Sequence, residues 1–98
     1  MRLEELREEI DAIDTELLRL INRRAQIALR VGVIKQTAGL PLCDPERERD
    51  VLARARRAND GPLGDGAVAN IFRLVIDESR RLEVKAAGRT IEQVQELS

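Results

Sequence analysis

A chain of 98 residues, 43% hydrophobic and 36% charged, suffices for one compact domain and no more. Its 17 basic and 18 acidic side chains leave a formal charge of -1, without the basic excess of a nucleic-acid binder. It has no histidine, which excludes His-based triads and His metal sites, and its lone aromatic, Phe72, provides no base-stacking platform.

The first predicted helix runs from about Leu3 to Thr37. Its apolar residues fall at Leu3, Leu6, Ile10, Ile13, Leu17 and Leu20, then at Ile27, Val31 and Ile34, the three-and-four spacing of a heptad seam. Gly32 is the one weak point before the break at Gly39 and Pro41. The second helix, about 45–59, opens on Asp44-Pro45, an N-cap followed by proline at the first helical position. Glu46 and Glu48 lie in its first turn, where the macrodipole favours anions, and Val51, Leu52, Ala55 and Ala58 supply its apolar face. Asp60 to Gly66 reads as a turn. The third helix, about 65–86, carries Val68, Ile71, Phe72, Val75, Ile76 and Leu82. The domain is expected to span 1–88, leaving 89–98 as a C-terminal tail or linker with apolar residues at Ile91, Val94 and Leu97, open to a further helical turn or to loose chain.

The expected fold class is therefore all-α: a three-helix protomer with one very long first helix. A helix of about 34 residues is roughly 50 Å long. A compact domain of this size is only roughly 33 Å across. The first helix must overhang, and its apolar seam needs a partner. A second copy of the chain, giving an interlocked helical homodimer, is the expected one. A larger host protein is the alternative.

Polar side chains interrupt the faces that should be apolar. Continuing the seam from Leu17 and Leu20 leads to Arg24, whose guanidinium needs an anion, either a carboxylate of another helix or a ligand. Arg7 and Lys35 flank the seam four heptads apart, where snorkelling is the plain explanation for each. Arg47 and Glu48 extend the buried face of the second helix, and Ser79 and Glu83 follow Val75 at four-residue steps. Ser79 taken alone suggests a hydroxyl bonded to the preceding turn, and Glu83 an ion pair with a neighbouring Arg. Together these positions suggest a cationic pocket for a small molecule with two carboxylates. Fifteen of the basic residues are arginine, whose planar fork suits carboxylates, although a GC-rich source produces the same skew. Arg54, Arg56, Arg57, Arg80 and Arg81 read as solvated. The single Cys43 reads as a small apolar residue and cannot form an internal disulfide, which fits a reducing compartment. The N-terminus MRLEELREEI has no apolar signal core, and no run of about 18 apolar residues occurs, so the expected location is cytoplasmic.

Over about residues 3 to 85 the chain resembles the all-helical chorismate mutases, the AroQ class. The resemblance rests on LREEIDAIDTELLRLINRR (Leu6 to Arg24), VGVIK (Val31 to Lys35), DPERERDVL (Asp44 to Leu52) and IFRLVIDES (Ile71 to Ser79), in order and at near-family spacings. It implies a dimer of interlocked protomers with two equivalent sites, and the Claisen rearrangement of chorismate to prephenate in phenylalanine and tyrosine biosynthesis. That reaction is unimolecular and calls for no metal or cofactor. By the resemblance, Arg7 matches an arginine that crosses into the other protomer's site, and Arg24 the carboxylate-binding arginine of the same chain. Lys35 matches the lysine that meets the ether oxygen and a carboxylate. The Asp44 backbone and the Glu48 side chain match the groups that meet the substrate hydroxyl, while Arg47 and Ser79 match polar contacts around the carboxylates. Lys35, Glu83 and Arg24 are the catalytic set it implies.

One position departs from the pattern. Many bacterial members carry glutamine as the second donor to the ether oxygen, and here Glu83 stands in that place. A carboxylate cannot donate a hydrogen bond, so Glu83 must be protonated to serve. The resemblance leaves alternatives: a mutase-like domain of a bifunctional or partner-activated shikimate-pathway enzyme, or an isochorismate pyruvate lyase of the same fold. The lyases tend to lack the equivalents of Glu48 and Ser79, both present here. A purely structural helical dimer fits poorly with Arg24 in the seam.

Overall fold

The computed structural model describes residues 2–96, and among them it contains four helices and no strand. These are α1 (Leu3–Ala38), α2 (Pro45–Ala58), α3 (Asp65–Ala86) and a short α4 (Ile91–Gln95). α1 ends one residue past Thr37 and α2 one residue before Asn59. The tail after Gly88, which the sequence left open, thus contains a helix at Ile91–Gln95, and Leu97 lies outside the described residues.

Local chemistry explains each start and stop. α1 ends because Gly39 takes the left-handed conformation at φ 69°. Its N–H bonds Gln36 O at 3.2 Å while Leu40 N–H bonds Lys35 O at 2.8 Å, a Schellman closure. α2 begins with Pro45, and Asp44 Oδ1 accepts the Arg47 N–H at 3.0 Å. The α2–α3 turn is held by Asn59, whose Nδ2 donates to Leu63 O at 2.8 Å and to Asp65 Oδ1 at 3.1 Å. Gly88, at φ 80°, turns the chain out of α3. Thr90 and Gln93 then close a reciprocal capping box at the start of α4.

α3 packs along α1, with α2 against α3 and α4 against α1. The closest approach is at Gly32: a Cβ there would lie 2.6 Å from the Glu83 carbonyl oxygen and 2.7 Å from its Cα. The residue that weakens α1 on propensity is therefore what lets the two helix backbones touch. Behind this crossing Leu29, Val33, Ala86 and Val94 form the buried cluster, with Leu82 against it.

The molecule measures 54 × 30 × 15 Å, and its length equals that of the 36-residue α1, about 54 Å at 1.5 Å per residue. A thickness of 15 Å is little more than one helix diameter, about 10–12 Å. One layer of helices cannot enclose a core. The exposed area is accordingly 7516 Å², where a compact monomer of 11.0 kDa would expose about 5,600 Å².

Candidate functional site

Three elements converge on a cavity of about 280 Å³, close to the lower end of the range for small-ligand sites, about 300–1,000 Å³. Arg24, Ala28, Val31 and Lys35 face it from α1, spaced three and four apart so that one stripe of the helix supplies both floor and charge. Asp44, Arg47, Glu48 and Val51 enter from the start of α2, and Ile76, Ser79, Arg80 and Glu83 from α3. Seven of the eight residues singled out in the sequence thus line one cavity.

Arg7 does not. It is exposed and bonded to Glu4 on its own helix at 3.2 Å. It precedes Arg24 by seventeen residues, so it lies about 25 Å farther along the axis, beyond the reach of this cavity.

Lys35 is held from two sides. Its Nζ donates to Leu42 O at 3.0 Å and to Glu83 Oε2 at 3.1 Å, and both charged side chains are largely buried. The first contact follows from the Gly39 stop, which folds the chain back over the lysine; the second follows from the close crossing at Gly32. Glu83 is thus an ion-pair partner, as one reading of it suggested, but of a lysine and not of an arginine.

Arg24 Nη1 donates to Ser79 Oγ at 2.5 Å, and the Ser79 hydroxyl donates to Val75 O at 2.9 Å. Ser79 therefore bonds back to the preceding turn and also orients the arginine. A hydroxyl satisfies a donor without neutralising its charge, so Arg24 presents a half-buried cation to the cavity.

The expectation that Arg80 is merely solvated is corrected. It lines the cavity and forms an ion pair with Glu48, whose side chain is only 14% exposed. Arg73 Nη1 reaches the same Glu48 Oε1 at 3.3 Å. The signal was present in the sequence, since Phe72, Ile76 and Arg80 follow one another at four-residue steps. Cys43 is exposed, with its Sγ 3.8 Å from Glu48 Oε2. Among the described residues no cluster of three or more His, Cys, Asp or Glu side chains could hold a metal ion, and no helix is long and apolar enough to cross a membrane.

The cavity carries four cationic side chains and three carboxylates, two of these already ion-paired, on an all-helical scaffold, a balance that suits an anionic ligand. The sequence model described as chorismate mutase type II matches residues 6–84. A bifunctional chorismate mutase/prephenate dehydratase of Aquifex aeolicus is 45% identical over 85% of this chain, which spans only 24% of that protein's length. A chorismate mutase of Methanocaldococcus jannaschii is 34% identical over 84% of each chain. The crystal structure of a chorismate mutase from Helicobacter pylori in complex with prephenate superimposes with a TM-score of 0.78 at 36% identity, covering 86% of this chain and 91% of that one. The chain belongs to the type II chorismate mutase family.

Proposed function

We propose that this chain catalyses the rearrangement of chorismate to prephenate as a symmetric dimer. The observation that carries the reading is the cavity itself. It places Arg24 uncompensated at one side and the Lys35–Glu83 pair at another, on a family member whose neighbour was solved with prephenate. The substrate carries two carboxylates and must be held in a compact, chair-like conformer, an orientation effect. Arg24 and Arg47 grip the carboxylates, Ser79 fixes Arg24, and the Asp44 backbone with Glu48 receives the ring hydroxyl. As the ether bond breaks, negative charge grows on its oxygen. Lys35 donates to it in the manner of an oxyanion hole, and Glu83, which as a carboxylate holds Lys35 in place, adds a second hydrogen bond only when it carries a proton.

Arg7 from a second protomer completes each site. This reading is supported by the exposed seam Leu3, Leu6, Ile10, Ile13, Leu17, Leu20 of the overhanging helix. It is supported too by the area, about 1,900 Å² beyond a compact monomer, which matches one subunit's share of an obligate interface. Residues 1–88 are the mutase domain on this reading, with 89–98 as its C-terminal extension. A relative named as a bifunctional chorismate mutase/prephenate dehydratase supports a second reading, in which the domain works joined to another enzyme of the same pathway.

Chorismate consumption by the purified chain, with product identification, tests the proposal. Saturable prephenate formation without added cofactor is expected. No turnover by a folded dimer would overturn the catalytic reading, and turnover that rises sharply when a pathway enzyme is added would favour the second.

A further inference from the structure

Glu48 is the one cavity carboxylate with two guanidinium partners: Arg73 and Arg80 both meet its Oε1. Its Oε2 has only the Cys43 thiol nearby, at 3.8 Å, and remains the free acceptor. Both arginines come from α3, whereas Glu48 and the neighbouring Arg47 come from α2, so the pair also ties the two helices together across the cavity rim. The other carboxylate that lines the cavity from α2's entry is Asp44, whose Oδ1 is occupied by the Arg47 N–H. A ligand donor that reaches Glu48 therefore meets an acceptor whose negative charge is already compensated. A neutral hydroxyl gains a hydrogen bond there. An ammonium gains the same bond but is placed beside Arg80 and Arg73, and like charges brought together in a half-buried site are costly.

We propose that Arg80 is a positioning residue that sets substrate specificity: by pairing with Glu48 it reserves that carboxylate for a hydroxyl and disfavours a substrate carrying an amine at the same ring position. The inference rests on the function proposed above and names which ring substituent the site accepts. Arg80 acts through Glu48 and takes no part in bond making or breaking.

The test compares kcat/KM for chorismate with kcat/KM for its analogue in which an amino group, protonated at neutral pH, replaces the ring hydroxyl. In Arg80→Gln the ratio should fall by about tenfold or more as the freed Glu48 accepts the ammonium. Arg80→Lys keeps the cation and should keep the ratio. Arg81→Gln, which removes an exposed charge one residue along and paired with Glu78, should leave it unchanged. Should Arg80→Gln fail to fold, Arg73→Gln serves, with a smaller shift in the same direction. A parent that turns over chorismate with a ratio the same in every variant overturns the inference alone, as would an equal loss on both substrates, the mark of an arginine that binds a carboxylate directly. A parent that turns over neither compound overturns the proposed function and this inference with it.

Discussion

The two halves of α1 share one heptad pattern and have opposite fates. Before Asn22, Leu3, Ile10, Ile13 and Leu17 are all more than half exposed. Among the described residues every polar side-chain contact there stays within one turn: Arg7 with Glu4, Thr15 with Asp11 O, Arg19 with Glu16, Asn22 with Leu18 O. The Arg19 guanidinium holds the Glu16 carboxyl below its ordinary range, but this is a solvated pair that fixes nothing beyond its own helix. After Asn22, Ala28, Leu29 and Val33 are buried, and Arg24 and Lys35 reach residues 55 and 48 positions away. A repeating seam therefore states that a helix will be covered and does not state by what. Only the length of α1 against that of α2 and α3 reveals that half the seam runs past the cover these helices supply.

The largest expected effect breaks this contrast directly. Arg7→Ala alters the overhanging half and Lys35→Ala the covered half, and each should lower kcat by about 10²–10³. When the two variants are mixed and allowed to exchange subunits, half the dimers carry one intact site, and activity should return to roughly a quarter of the parent's. Exchange demonstrated by mass with no recovery of turnover would place Arg7 outside the site.

Gly32 and Gly66 sharpen the contrast within the covered region. A Cβ on Gly32 would press on Glu83 backbone atoms, whereas nothing lies within 4 Å of one on Gly66. Gly32→Ala should cost about 1–3 kcal/mol in urea unfolding. Turnover should fall as well, because the residue that must give way carries the partner of Lys35. Gly66→Ala, in the first turn of α3, should instead stabilise by about 0.4–1 kcal/mol. Equal stability of the two variants would mean that the helix crossing yields freely.

These cases show how much was legible in the sequence. Asp44-Pro45, Gly39 and the Asp60–Gly66 turn act within a few residues, so the helix ends could be read directly. The stripe Arg24, Lys35, Ser79, Glu83 was readable because charge on an apolar face is costly wherever the face packs. Gly32 was not: its value depends on where α3 crosses, a tertiary fact that a propensity scale scores with the wrong sign. Arg80 was missed because it sits among exposed arginines, although its spacing from Ile76 marked the inner face. The pairing of Arg24 with a hydroxyl could not be told from pairing with a carboxylate until three helices were set in place.

Glu83 carries a smaller expected effect. A protonated carboxyl donates to the ether oxygen and a carboxylate does not, whereas glutamine always carries an N–H to donate. Glu83→Gln should therefore match or exceed the parent in kcat, while Glu83→Ala, which removes the donor and leaves Lys35 without its partner, should lower kcat by about tenfold or more. A loss in Glu83→Gln as large as in Glu83→Ala would show that the Lys35 partner acts only as an acceptor and that another group supplies the second donor.

The smallest effect is expected at α4, which lies on the other side of α1 from the chemistry. Val94 is 1% exposed and clusters with Leu29 and Val33, while Ala28, Val31 and Lys35 of the same helix line the cavity. Buried Val94 and a capping box help hold this helix of five residues. Thr90→Ala removes the acceptor of the Gln93 N–H and should cost about 0.5–2 kcal/mol, felt first as faster hydrogen exchange at the α4 amides. If α4 only backs the covered half of α1, kcat and KM should not move. A fall in kcat matched to the loss of protection would mean that the placement of Lys35 depends on support from behind as well as on the crossing at Gly32, and would extend the site's structural requirements to the residues beyond Gly88.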